Sequence, residues 1–168
     1  MKTKIVSFIV VLSIIGLAFF GCATAASSVK GTPTTIKTMG GDTFNAIIVI
    51  DNIWEGVKIA KSENGYLIYM NCMTNRGDPG AGLMVIDGKK NTIFNPFPSD
   101  WHCDDVSVSQ YGVAKYWSAQ RRLTDTEIDS ILGANSIVFR IVGTNAYMGQ
   151  DGVDVTTILS TIKDFLKK

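Results

Sequence analysis

Two dipeptides, Asn64-Gly65 and Asp87-Gly88, most constrain what this chain can fold into. Each sits between short runs rich in aliphatic and aromatic residues. "VKIAK" (57–61) and "YLIYMNC" (66–72) surround the first, and "GLMVID" (82–87) and "NTIFN" (91–95) surround the second. Asn-Gly and Asp-Gly supply the positive φ angles of a tight hairpin, so the strands on either side must run antiparallel.

The strand pattern continues in both directions. "FNAIIVI" (44–50) is β-branched and has no helical spacing. "DVSVSQYGVAKYWSAQ" (105–120) alternates as one strand broken at Gly112 or as two strands in a hairpin. Two prolines exclude "NPFPSDW" (95–101) from any central strand. After residue 120 the character changes. Thr124 and Glu127 form a capping box, Leu123 and Ile128 a hydrophobic staple, and Gly133 stops the helix. "SIVFRIVG" (136–143) is a strand. In "DVTTILSTIKDFLKK", Val155, Ile158, Leu159, Ile162, Phe165 and Leu166 fall on one helical face, with Asp154 as the cap. The expected fold is α+β: an antiparallel β-sheet or small β-sandwich over 44–120, followed by two C-terminal helices flanking a strand.

The N-terminus speaks about location. Lys2 and Lys4 precede an apolar run from Ile5 to Phe20, and small residues follow, the pattern of a secretory signal peptide. The segment Phe19-Phe20-Gly21-Cys22 resembles the lipobox of bacterial lipoproteins. That resemblance covers only the leader. It implies that the Cys22 sulfur receives a diacylglycerol and that Cys22 becomes the first residue of the mature chain. Each buried acyl CH₂ adds about 0.8 kcal/mol of membrane affinity, so two or three chains anchor stably. The competing outcome is cleavage after Ala23-Thr24-Ala25 and a secreted product. The expected organisation is a signal peptide (1–21), a lipidated cysteine with a Ser/Thr/Gly-rich flexible tether (22–42), and a single domain (43–168).

Without its leader the chain carries fourteen basic and fifteen acidic residues, a net −1. That balance argues against a nucleic-acid partner. Cys72 and Cys103 remain after Cys22, and an even count in an exported chain points to a disulfide between them. Such a bridge would pin the Pro-rich segment beside the loop "NRGDPGAG" (75–82).

Candidate chemistry is sparse. His102, the only histidine, sits in "SDWHCDD" (99–105) beside Cys103. Adjacent strand residues point to opposite sides, which disfavours both a zinc site and a Cys–His dyad. "MGQDGVD" (148–154) lacks the alternate acids and final Glu of an EF-hand loop. No Gly-rich nucleotide motif and no nucleophile elbow occurs, so no cofactor and no metal are expected. Arg76-Gly77-Asp78 is an adhesion tripeptide in form, yet Asn, Gly, Asp and Pro make the same segment a plain hairpin loop. Trp54, Tyr66, Tyr69, Trp101, Tyr111, Tyr116, Trp117 and Tyr147 divide between core and binding surface. The sequence thus leans towards a lipid-anchored cell-envelope protein with a non-catalytic binding or structural role. It contacts the membrane through its N-terminal lipid, and its partner is a protein or glycan. The alternatives are an envelope hydrolase using scattered carboxylates and a host-adhesion protein acting through Arg76-Gly77-Asp78.

Overall fold

Period-two alternation along strand β4 (Gly65–Thr74) sorts the molecule into two faces. Tyr66, Ile68, Met70, Cys72 and Thr74 are buried, while Leu67, Tyr69 and Asn71 point the other way and are half-buried or exposed. The computed structural model describes residues 29–37, 43–51, 55–75, 77–110, 112–142 and 152–167. The leader, Cys22, Trp54, Arg76, Tyr111 and Tyr147 lie outside the described residues.

The remaining strands are β1 (Val29–Lys37), β2 (Thr43–Asp51), β3 (Glu55–Ser62), β5 (Gly82–Ile86), β6 (Lys89–Phe94), β7 (His102–Ser109), β8 (Gly112–Arg122), β9 (Ile137–Ile141) and β10 (Val153–Asp154). Helix α1 is Asp125–Gly133 and helix α2 is Leu159–Lys167. Six strands form one sheet in the order β1-β2-β3-β4-β8-β7, and four form a second in the order β10-β9-β5-β6. Every pairing is antiparallel. The architecture is mixed α+β and mostly β, with the two helices flanking β9 and β10.

The turns behave as their chemistry requires, with one shift. Asp87 (φ 48°) and Gly88 (φ 80°) are the centre of the β5–β6 turn. In the β3–β4 turn Ser62 pairs with Gly65, so Glu63 and Asn64 are central and Gly65 alone takes the positive φ, 119°. Asp87 also works beyond its turn. Its carboxylate accepts the N–H groups of Asn135 and Ser136 at 2.9 and 2.8 Å, tying the end of α1 to the second sheet. Those backbone bonds hold the carboxyl below its usual range.

Three expectations need correction. The segment 29–37, assigned to the tether by composition, is strand β1 paired along β2. Its stability comes from the partner's backbone rather than from its own apolar content. The segment "NRGDPGAG", expected as a plain hairpin loop, does not join neighbouring strands: β4 lies in the first sheet, while β5 has β6 on one side and β9 on the other. The loop carrying Gly77 and Asp78 is therefore a crossing between sheets, not a hairpin. Finally, no disulfide joins Cys72 and Cys103. Both residues pair with Trp117, Cys72 from β4 and Cys103 from β7, so β8 separates them. Two strand spacings put their Cα atoms about 9–10 Å apart, beyond the ~7 Å limit for a bridge.

The Pro-rich segment is nonetheless pinned to the crossing loop, by tryptophans. Trp101 Nε1–H donates to Gly80 O at 2.9 Å, and the Phe97 N–H donates to Pro79 O at 3.1 Å. Trp117 Nε1–H donates to Thr74 Oγ1 at 2.9 Å, and that hydroxyl donates to Gly77 O at 3.1 Å. Phe97 packs edge-on against Trp117 with ring centres 5.0 Å apart.

The inner face of the large sheet packs against the second sheet and the helices in one core. Helix α2 buries Leu159, Ile162 and Leu166, and each such side chain contributes about 1.5–3 kcal/mol. The Tyr66 hydroxyl donates to Leu166 O at 2.9 Å, satisfying a carbonyl that the last helical turn leaves open. Helix α1 starts with the complete Thr124–Glu127 capping box. Glu127 also receives both terminal nitrogens of Arg121, whose Nε–H turns to Ile93 O in β6. At the far edge, β7 exposes Val106 and Val108. The Asp105 carboxylate accepts the N–H of Val106 at 2.8 Å, beside a register shift between Cys103 and Asp105.

Two measurements follow from this packing. Unreduced, denatured mature protein should titrate both Cys72 and Cys103 with an alkylating reagent, whereas a two-hydrogen mass deficit would establish a bridge. Burial alone would raise the Glu127 carboxyl, but Arg121 and Thr124 hold it below its usual range. The stability that it contributes is therefore full above the ordinary carboxyl range and lost as pH falls through the lowered value. Glu127→Gln should cost about 1.5–3 kcal/mol near neutral pH in urea unfolding and flatten the acid limb of the stability profile.

Candidate functional site: the concave face of the large sheet

The rows that point away from the core are fixed by register. One runs Ile48–Lys58–Tyr69–Gln120 across β2, β3, β4 and β8, and the next runs Gly56–Asn71–Ser118–His102 into β7. A third runs Thr34–Ala46–Ala60–Leu67–Arg122. Each side chain is placed by alternation with a buried neighbour: Lys58 between Val57 and Ile59, Tyr69 between Ile68 and Met70.

This face is concave. Ile36 of β1 and Ser118 and Gln120 of β8 border the same hollow, about 180 Å³ in volume, together with Lys58, Tyr69 and Asn71. Three strands lie between β1 and β8, a separation of about 19 Å in a flat sheet. Only a strongly coiled sheet brings them round one hollow. A second hollow of about 330 Å³ continues past Lys58 and Asn71 to Asp104 and Tyr116. A third, about 670 Å³, is lined by Phe44, Lys61, Glu63, Leu67 and Arg122. The first two share lining residues, and Leu67 and Arg122 continue the strands of Tyr69 and Gln120 into the third. Together they form a groove across the sheet.

The groove mixes apolar floor with uncommitted polar groups. Ala46 and Ala60 are buried at its base, and Phe44, Ile48 and Leu67 are half-buried around them. Among the described residues, the side chains of Lys58, Tyr69, Asn71, Gln120 and Arg122 make no hydrogen bond or ion pair within the protein. Ser118 Oγ donates to Asp104 Oδ1 at 3.0 Å. Burial pushes the Tyr69 phenol above its ordinary pKa, so it remains a neutral donor. A Cβ at Gly56 would collide with Oδ1 of Asn71, whose amide lies over β3.

The sequence candidates fall unevenly on this surface. His102 stands at the groove's β7 edge, opposite Ser118, and is exposed. Cys103 points to the other face, where its thiol donates to Asp105 O at 3.6 Å. Among the described residues no three His, Cys, Asp or Glu side chains converge as a metal cluster. Asp78 forms an exposed ion pair with Lys115 at 3.1 Å, away from the groove. Of the aromatics, Tyr66, Trp101 and Trp117 are core, while Tyr69 and Tyr116 line the groove. Lys58, Asn71, Ser118, Gln120 and Arg122 were not marked by any motif. Their signal was polar residues recurring every second position in strands whose other face is apolar. No family model, no curated protein and no solved structure matches this chain. No described helix is long and apolar enough to cross a membrane.

Proposed function

We propose that this chain is a lipid-anchored cell-envelope protein that binds a glycan in the groove of its large sheet, without catalysis. The observation that carries the binding role is the set of uncommitted side chains on one concave face. Tyr69 and Tyr116 offer flat apolar surfaces of the kind that stack on sugar rings. Asn71, Gln120, Lys58 and the Tyr69 hydroxyl offer donors and acceptors to sugar hydroxyls. A peptide is a poorer occupant. The backbone groups of the inner strands are consumed by sheet pairing, so a peptide backbone lying across the face finds no ladder to join. The crossing loop with Gly77 and Asp78 is an inferior binding element, since its Asp78 carboxylate is already paired with Lys115.

The anchoring role rests on the leader: two lysines, an apolar run, and Cys22 in a lipobox-like segment. If β1 begins the folded domain at Val29, the span between Cys22 and the domain is short. The domain would then be held close to the bilayer rather than on a long tether.

Intact mass spectrometry of the natively expressed protein should give a chain that begins at Cys22 and carries diacylglycerol and acyl groups. An unmodified chain beginning at Ala26 overturns the anchoring. For the groove, mature protein with Cys22→Ser should be retained on isolated envelope polysaccharide. Tyr69→Ala should weaken that binding by about ten-fold with the unfolding midpoint unchanged. Binding indifferent to Tyr69→Ala, or no binding to any glycan tested, removes this reading.

A further inference from the structure

The groove's charges are arranged in a way that the net charge of the chain conceals. Lys58 and Arg122 both face the groove, and neither makes an ion pair among the described residues. Lys58 is half-buried in the middle of the surface, flanked by Tyr69 in its own row and Asn71 in the next. Arg122 lies beside Leu67 on β8. From the register they are two strands and two residues apart, about 12 Å between Cα atoms in a flat sheet. They are separate stations along the groove rather than one cluster. Glu63 lines the same hollow as Arg122, and Asp104 the second hollow that Lys58 also borders, while the central hollow holds Lys58 and no acid.

We propose that the glycan bound here is acidic, and that Lys58 and Arg122 receive carboxylates on different residues of an oligosaccharide lying along the groove. The proposal rests on the glycan reading above and narrows it. Lys58 reaches the groove with a positive charge that no acid among the described residues neutralises, so an incoming carboxylate meets an unpaired cation there. The guanidinium of Arg122 presents a planar fork that matches a carboxylate in two hydrogen bonds. Densely charged polyanions fit less well, because the two cations are spaced apart and Glu63 and Asp104 would repel charge arriving at either end. A sparse acid, with neutral hydroxylated rings between its charges, meets Tyr69, Asn71 and Gln120 where the cations are absent.

The test compares binding of the mature Cys22→Ser protein to a hyaluronan oligosaccharide, in which a neutral ring separates successive carboxylates, and to the same oligosaccharide with its carboxyls reduced to alcohols, by calorimetry at two salt concentrations. The acidic oligosaccharide should bind at least ten-fold more tightly, and salt should weaken it. Lys58→Gln and Arg122→Gln should each cost about ten-fold or more. Lys58→Arg, which keeps the charge, should retain most of the affinity, and Arg122→Lys, which keeps the charge but not the fork, should bind more tightly than Arg122→Gln; together they show that the losses are not misfolding. Equal affinity for the neutral oligosaccharide would overturn the acidic specificity while leaving the glycan reading intact. Stronger binding to poly-glutamate or to vesicles containing anionic phospholipid would overturn the proposal in favour of those partners. Binding to neither oligosaccharide, with Tyr69→Ala also without effect on envelope polysaccharide, would remove the glycan reading and this one together.

Discussion

The guanidinium of Arg121 holds together parts of the molecule that nothing in the chain's local order would join. It projects from β8 of the six-stranded sheet, bonds a main-chain carbonyl at Ile93 in the four-stranded sheet, and grips Glu127 in the first turn of α1. Its charge also lies 6.0 Å from the centre of the Phe94 ring. The pair is only partly exposed, 28% for Arg121 and 19% for Glu127. Removing either partner therefore leaves a charge with reduced access to water, which costs more than losing an exposed ion pair. The position of α1, and the β9 strand that follows it, depend on this junction and on Asp87 at the helix's other end.

Arg122, one residue later, turns to the opposite face and makes no such bonds. The contrast between two adjacent arginines shows how one strand serves structure on one face and, on the function proposed above, recognition on the other. Alternation gives Trp117, Ala119 and Arg121 to the interior and Ser118, Gln120 and Arg122 to the groove. A rigid, fully paired backbone thus displays side chains that have no structural task of their own. That division makes the groove preorganised, since its walls are strands rather than loops.

How much of this was legible in the sequence depended on range. The capping box at Thr124 and Glu127, the turn at Asp87-Gly88 and the apolar face of α2 are local patterns, and each folds as its residues dictate. Strand β1 was hidden because "VKGTPTTIK" has few apolar residues and becomes a strand only through pairing with β2. The allegiance of β5 was hidden for a similar reason: its second neighbour, β9, lies about fifty residues further along. The expected disulfide failed on register, which the cysteine count cannot convey. A single residue, Trp117, stands where the bridge would have to pass. Of the groove, the sequence offered Tyr69 and Tyr116 as candidates, but not the coiling that gathers them with Lys58 and Asn71.

The Asp105 carboxylate folded onto the Val106 N–H has a meaning at the level of populations. Edge strands with exposed valines invite sheet-to-sheet association between copies. A protein confined to a membrane surface meets its neighbours in two dimensions, at local densities far above those in solution. On the proposed anchor, a strand that occupies one of its own donors and breaks its register beside two acids would keep such a layer of molecules separate, each with its groove open.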